Sequence, residues 1–214
     1  MNVVIFGSGK HAQLVSNILN RQGNKIIGHI DIIPKSNYCN IIGQMDELEK
    51  LIKKFSIDSG IIAVGLNYIR IEIMKKVISV APNFKWISCI DDAAYINNDV
   101  QIGSGVTILG NASILGPSKI GNHVIINSST SINHHNNFAD FSSTGPGVTT
   151  GGSVSVGFSS YLGIASVIKN EVKIGDYSII GASSFVNKDV DSNILGYGTP
   201  FRKVRKSLKN ENYL

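Results

Sequence analysis

Two adjacent histidines, His134 and His135, are the residues of this 214-residue chain whose type and setting best suit proton transfer. A neutral imidazole can take up a proton near pH 7, where histidine titrates. Glycines lie 18 residues before and after His134, at Gly116 and Gly152. If residues 18 apart stack, the missing side chains leave a slot beside the imidazole, lined by bare backbone N–H groups. This setting favours general-base chemistry over an exposed corner histidine without a role.

The element that must position His134 is a six-residue repeat. Every sixth residue from Ile90 to Val186 opens one of 17 hexads in constant phase, and 15 of them begin with an apolar residue. Each hexad is a short strand and a corner, and three hexads close a triangular coil of about 18 residues. The lead and fifth residues should point inward, and Gly or Asn at the second position should take the corner because these residues tolerate unusual φ values. We predict a prism of five to six coils rather than a sandwich, which would not keep its phase for so long.

The first 85 residues have a different pattern, in which apolar strands alternate with helices. The predicted strands are 2–6, 25–30, 60–65 and 84–90, and the predicted helices follow residue 9 and span 44–55 and 68–80. This alternation is typical of a small parallel sheet with helices on its faces. Its length suits about half of a doubly wound fold.

A glycine-rich turn, Gly7–Ala12, follows the first strand and opens the first helix. Helix N-terminal N–H groups favour an anion, so the turn predicts a phosphate site, with Asp31 placed to hold a ribose hydroxyl. His11, Asn67 and Arg70 should lie at the same end of the sheet. Because one mononucleotide-sized half is present, a nucleotide sugar is favoured over a dinucleotide. A tight turn that binds nothing is the structural alternative.

Composition excludes several classes of protein. The net charge is +5, from 20 basic and 15 acidic residues, and most of the excess lies in the last 13 residues, which argues against a nucleic-acid-binding body. No apolar run approaches the ~20 residues of a membrane span, and the first residues lack the basic start of a signal peptide, so we expect a cytoplasmic protein without membrane insertion. Cys39 and Cys89 fit neither a disulfide framework nor a metal spacing.

A zinc site built from three prism histidines is a further alternative. The candidates are His123, His134 and His135, whose spacings of 11 and 1 do not stack them on one face. We therefore expect no metal.

An α/β domain that begins Gly-x-Gly-x-His-Ala and precedes a hexapeptide prism resembles the sugar acyltransferases of bacterial surface glycans. The group that N-acetylates nucleotide-linked 4-amino sugars is the most similar, and sialic-acid O-acetyltransferases are near relatives. The resemblance covers almost the whole chain and is carried by residues 6–12, 30–31, 62–70, 127–134, 146–147 and 162–164. It implies a Rossmann-like half domain at 1–85, a left-handed parallel β-helix at 90–191, a basic tail at 192–214, and a homotrimer with acetyl-coenzyme A between neighbouring prisms.

The same resemblance implies roles for particular residues. His134 matches the family's general base, and His135 or Asp140 would orient it, with Asn136 a further candidate. The nucleotide sugar would contact Gly7, Ser8, Gly9, Lys10, His11, Asp31, Gly65, Asn67, Arg70 and Asn127. Coenzyme A would contact Ser143, Gly152, Ile164, Gly181, Ala182, Arg202 and Lys203. The chain departs from the family pattern at His135, where an acidic residue is usual, at Ser143, where a second histidine is usual, and at Phe201 after the tail proline.

The implied reaction is direct acetyl transfer to the sugar amine, with His134 as the base and without a serine or cysteine nucleophile. Two other functions fit the same features. One is O-acetylation of sialic acid or a related sugar, and the other is nucleotide-sugar binding without catalysis.

Overall fold

The computed structural model describes residues 2–33 and 39–213. The chain divides into two compact units, Met1–Cys89 and Ile90–Leu214. None of the helices in the described residues is long and apolar enough to cross a membrane.

The first unit is built on five parallel strands in the order β3-β2-β1-β4-β5. The strands are β1 Val3–Phe6, β2 Ile26–Asp31, β3 Ile41–Gln44, β4 Ser59–Ile62 and β5 Lys85–Trp86, and the helices are α1 Lys10–Arg21, α2 Leu48–Phe55 and α3 Asn67–Val80. Strand β1 is fully buried, which explains its unbroken apolar sequence. The sheet order reverses between β1 and β4, so their carboxyl ends open a crevice.

The second unit is a triangular parallel β-helix whose two-residue strands recur every six residues. They are β6 Cys89–Ile90, β7 Tyr95–Ile96, β8 Gln101–Ile102, β9 Thr107–Ile108, β10 Ser113–Ile114, β11 Lys119–Ile120, β12 Ile125–Ile126, β13 Ser131–Ile132, β14 Asn137–Phe138, β15 Ser143–Thr144, β16 Thr149–Thr150, β17 Ser155–Val156, β18 Tyr161–Leu162, β19 Val167–Ile168, β20 Lys173–Ile174, β21 Ile179–Ile180 and β22 Phe185–Val186. Every third strand pairs, which gives three sheets. Lead and fifth residues such as Ile132 and Val148 fill the core, so the predicted register is confirmed.

The reason predicted for the second-position glycines was wrong. Left-handed φ values recur at the fourth position of the hexads, where Ser, Asn, His and other residues adopt them, for example His135 at 60°. The second-position glycines are needed because the coils stack closely. A Cβ on Gly145 would lie 2.7 Å from the Ile164 nitrogen, and one on Gly163 would lie 2.6 Å from the Ala182 nitrogen.

Several elements of the structure differ from the sequence-based predictions. The stretch 84–90 is two strands in two different sheets, since β5 pairs with β4 whereas β6 pairs with β9. Strand β3 was not predicted, and the helix predicted from Gln44 starts with a 3-10 turn, Met45–Glu47, before α2. The basic tail is more than a solvated end, because β23 Ile194–Tyr197 and β24 Arg202–Lys206 form an antiparallel pair that extends one prism sheet.

Candidate active site

A cavity of about 380 Å³ lies in the first unit where the sheet order reverses. Its lining residues are Gly7, Ser8, Gly9, Lys10, His11, Asp31, Ile32, Ile33, Ala63, Val64, Gly65, Ile69 and Ile73. Helix α1 begins at this cavity, and no side chain among the described residues caps its first turn. Uncapped N–H groups at a helix start attract an anion, so the cavity suits a phosphorylated ligand of nucleotide size.

The loop that precedes α1 and lines this cavity is fixed by close packing and by hydrogen bonds. Gly7 has a φ of 119°, and a Cβ there would lie 2.7 Å from the Ala63 oxygen, so only glycine fits. Ser8 donates a hydrogen bond to the Asp31 carboxylate, and the backbone N–H of Ile32 donates to the same group at 2.6 Å. Asp31 therefore ties the loop to the end of β2 while it still faces the cavity.

His29 supports the loop, and the sequence argument missed it. This buried imidazole lies with Nδ1 2.9 Å from the Gly7 carbonyl oxygen and Nε2 3.0 Å from the Ser16 hydroxyl. Burial lowers the pKa of His29, partly offset by the hydrogen bond to Gly7 and by the charge of Asp31. A histidine inside the apolar run Ile26–Ile30 was the available signal.

His11 faces the cavity as a neutral imidazole. Burial, and secondarily the positive charge of Arg70, lower the pKa of His11 from 6.5 to about 4. Its Nε2 is fully enclosed and has no hydrogen-bond partner in the described part of the chain. An unpaired buried nitrogen at a cavity is a ready contact for a ligand, as donor or acceptor rather than as a cation.

Two predicted ligand contacts do not line the cavity. Asn67 and Arg70 are each 1% exposed, and the Arg70 guanidinium donates to the carbonyl oxygens of Val64 and Gly65 at 3.3 and 2.8 Å. They lie at the predicted end of the sheet, but α3 starts at Asn67 and directs both side chains inward. Arg70 therefore holds the loop that follows β4, and its side chain does not line the cavity.

The second group of candidate residues is the corner that follows β13 in the prism. The Nδ1 atoms of His134 and His135 lie 2.9 Å apart, and the two rings are nearly perpendicular, at 88°. The left-handed φ of His135 and its N–H bond to the Pro117 oxygen, at 2.6 Å, fix the turn. In the tautomer in which Nδ1 of His134 donates to Nδ1 of His135, Nε2 of His134 carries the lone pair and can act as a base.

Gly152 forms the predicted slot beside this imidazole. A Cβ on Gly152 would lie 2.6 Å from Cε1 and 3.0 Å from Nε2 of His134, so the ring lies directly against bare backbone. At Gly116, the second flanking glycine, the space that a side chain would fill is taken by the Asp99 carboxylate of the preceding coil.

Asp140 does not orient His134. Its carboxylate accepts from the backbone N–H of Asn122 at 2.7 Å and from the Asn122 amide at 3.1 Å. Residues six apart occupy neighbouring corners of one coil, whereas residues 18 apart stack, so Asp140 meets Asn122 instead. Of the two orienters given most weight, only His135 contacts the imidazole.

The predicted coenzyme A contacts lie on several surfaces of the second unit. Gly152 shares the His134 corner, whereas Ile164, Gly181 and Ala182 lie at the corner that precedes the six-stranded sheet. Asn127, predicted to bind the sugar, lies at that same preceding corner. The six-stranded sheet therefore separates these residues from His134 within one chain.

The other predicted contacts lie elsewhere on this unit. Ser143 is 2% exposed on the eight-stranded sheet, and Arg202 and Lys203 are exposed on β24. In the described residues, no three His, Cys, Asp or Glu side chains are grouped as metal ligands. His123 stacks on Phe141 with ring centroids 4.8 Å apart, at a different corner from His134.

Comparison with known proteins gives one family match. Residues 2–77 match the model of the PglD N-terminal domain. No curated protein sequence matches the chain.

Solved structures match over nearly the whole length. PerB from Caulobacter crescentus, in complex with CoA and GDP-perosamine, is 26% identical with a TM-score of 0.90, over 96% of this chain and 98% of that one. The acetyltransferase domain of PglB from Neisseria gonorrhoeae, in complex with acetyl coenzyme A, is 20% identical with a TM-score of 0.84, over 95% and 98%. WeeI from Acinetobacter baumannii is 19% identical with a TM-score of 0.85, over 95% and 100%; these last two show the fold alone. The expected half domain and left-handed β-helix are thus confirmed, and the chain groups with the hexapeptide-repeat sugar acetyltransferases.

Proposed function

We propose that this protein transfers the acetyl group of acetyl-coenzyme A to the amine of a nucleotide-linked 4-amino-dideoxy sugar. The observation that carries the proposal is the His134 corner, where one imidazole has its Nδ1 engaged by His135 and its other side against the backbone of Gly152. This arrangement provides a base and a backbone donor at one place. Similarity to PerB, which was solved with CoA and GDP-perosamine, points to the same class of substrates.

The chemistry assigned to this corner is proton removal coupled to acyl transfer. The amine nitrogen attacks the thioester carbonyl carbon, the new C–N bond forms, the C–S bond breaks, and the thiolate leaves. Nε2 of His134 takes the proton that the amine loses and returns it to the departing sulfur. The Gly152 N–H, which has no acceptor in the described part of the chain, can donate to the carbonyl oxygen as it gains charge.

Substrate binding is assigned to the cavity of the first unit. The start of α1 and Lys10 would hold the diphosphate, and Asp31 would accept a ribose hydroxyl. Neutral His11 would pair with a polar atom of the nucleotide. The volume of about 380 Å³ suits one nucleotide rather than a dinucleotide.

A homotrimer is part of this proposal. His134 lies at one edge of the six-stranded prism sheet, and three residues expected to line coenzyme A, Ile164, Gly181 and Ala182, lie at the opposite edge, so two copies of the chain are needed to bring them together. The outward residues of that sheet support such packing because they carry no charge; they are Tyr95, Ser113, Ser131, Thr149, Val167 and Phe185. We propose that the trimer works in the cytoplasm, where acetyl-coenzyme A is made.

The test is thiol release from acetyl-coenzyme A with a panel of UDP-, GDP- and dTDP-4-amino sugars and free sialic acid. We expect release with one amino sugar, and a loss of about 10²–10⁴-fold in kcat for His134→Ala. Asn98→Ala is the matched control, because Asn98 is exposed at the same corner two coils earlier and should leave the rate unchanged.

The other outcomes separate the alternatives. Release with sialic acid alone would assign O-acetylation. Full activity in His134→Ala would refute the assignment of His134 as the base. Nucleotide-sugar binding without any turnover would refute the proposed reaction and leave a binding protein.

A further inference from the structure

Asn136 breaks the pattern of the prism at the coil that carries His134. The fifth position of the hexads holds Ala, Val, Ser or Thr in every other case, and Asn136 is the one amide among them. Its side chain is buried, 2% exposed. In the next coil the equivalent residue is Val154, so the fold accepts an apolar residue at this place in the stack.

The Asn136 amide holds three backbone carbonyl groups. Its Nδ2 lies 2.7 Å from the oxygen of Asn133, 3.2 Å from that of His134 and 2.9 Å from that of Gly151. Its backbone N–H donates to the Ser118 hydroxyl at 3.0 Å. The Asn136 side chain therefore ties the histidine turn to the next coil, whereas the bond to the preceding coil is made by its backbone.

Stability alone does not explain this amide. Its Oδ1 is enclosed and has no hydrogen-bond partner in the described residues. A buried acceptor without a donor is unfavourable, whereas a valine would leave nothing unpaired on its own side chain. A residue that departs from the hexad pattern and lowers stability is expected where it serves a function.

The carbonyl groups that Asn136 binds belong to the peptides that carry His134 and the Gly152 N–H. The Gly151 carbonyl belongs to the same planar peptide as the Gly152 N–H, so a hydrogen bond to one sets the direction of the other. The His134 carbonyl also accepts the Ser153 N–H at 2.9 Å, which fastens the histidine turn to the Gly152 turn. The base and the backbone donor beside it are thus held in one rigid unit.

We propose that Asn136 is a positioning residue that fixes both the His134 turn and the Gly151–Gly152 peptide for acetyl transfer. This inference rests on the proposed function. It assigns to Asn136 no contact with the reacting atoms.

The kinetic test compares Asn136→Val with Ser160→Val. Ser160 holds the carbonyl oxygen of Gly175 in the next coil at 2.7 Å, as Asn136 holds Gly151, but at a corner without a histidine. We expect Asn136→Val to lower kcat about 10–100-fold, because small displacements of catalytic groups have effects of this size. The KM for the nucleotide sugar, which binds in the first unit, should stay within about twofold, and Ser160→Val should match the wild type in both constants.

Asn136→Ser provides a second variant, since serine occupies the fifth position elsewhere in the prism and keeps one donor. Its kcat should fall between those of the wild type and Asn136→Val. A kcat within twofold of wild type for both variants would overturn the proposal. An equal loss of kcat in Ser160→Val would also overturn it, because the effect would then be a general destabilisation of the prism.

A readout without turnover separates this inference from the proposed function. Protein labelled with 15N-histidine should show the imidazole signals of His134 shifted in Asn136→Val and unmoved in Ser160→Val. His134→Ala identifies those signals. If they keep their wild-type shifts in Asn136→Val, the positioning role is wrong, whatever reaction the protein catalyses.

Discussion

Acid should destabilise the first unit because the folded state disfavours protonation of His11. The pKa of His11 is lowered to about 4, mainly by burial and then by Arg70, from a value of 6.5. Above pH 6.5 the imidazole is neutral in both the folded and the unfolded chain. As the pH falls below 6.5, the unfolded chain takes up the proton first, so the stability present at neutral pH is lost progressively down to pH 4.

The size of this loss follows from the shift in pKa. One pKa unit is ~1.4 kcal/mol, so the full displacement is worth roughly 3 kcal/mol, of which about 2.5 kcal/mol is lost by pH 4.5. The lowered pKa of His29 acts in the same direction. Against a typical unfolding free energy of ~5–15 kcal/mol, this loss is large.

Trp86 makes the measurement specific to the first unit, because it is the single tryptophan and packs on Phe84 with ring centroids 4.8 Å apart. Urea unfolding followed by its fluorescence at pH 7.5 and 4.5 gives the change in free energy. We expect His11→Phe to lose about 2.5 kcal/mol less than the wild type over this range. His135→Asn, which removes a histidine from the other unit, should behave as the wild type does. Parallel losses in the wild type and His11→Phe would refute the reasoning.

Three further variants test the geometry of the two sites. Gly152→Ala should lower kcat about 100-fold without unfolding the prism, because the new methyl group would displace the His134 imidazole; an unchanged kcat would contradict this. Gly7→Ala should destabilise the first unit by about 2–3 kcal/mol in the Trp86 assay, since the φ of 119° and the approach to Ala63 both oppose a side chain. His135→Asn should retain more activity than His135→Ala, because asparagine tolerates a φ of 60° and offers an acceptor to Nδ1 of His134; equal rates would exclude the orienting role.

The sequence predicted the features that depend on periodicity and missed those that depend on side-chain direction. The hexad phase placed Gly152 correctly against His134, because residues 18 apart must stack. The same rule could not say which side chain fills the space beside a glycine, so the Asp99 carboxylate at Gly116 was not foreseen. Arg70 was expected at the cavity from its position after a strand, but the helix that starts at Asn67 turns it inward.

A repetitive fold makes functional residues visible as departures from its own rule. Within the prism, the fifth position is small or β-branched except at Asn136, and the left-handed fourth position of that same hexad holds His135, whose ring is then free to reach back to His134. The glycine at the third position of the following coil, Gly152, lets the ring lie directly against the backbone. Each departure alone has a structural explanation, but all three act on one imidazole. A regular scaffold has no structural need to place them together, so their convergence on His134 is itself an argument that this corner carries the chemistry.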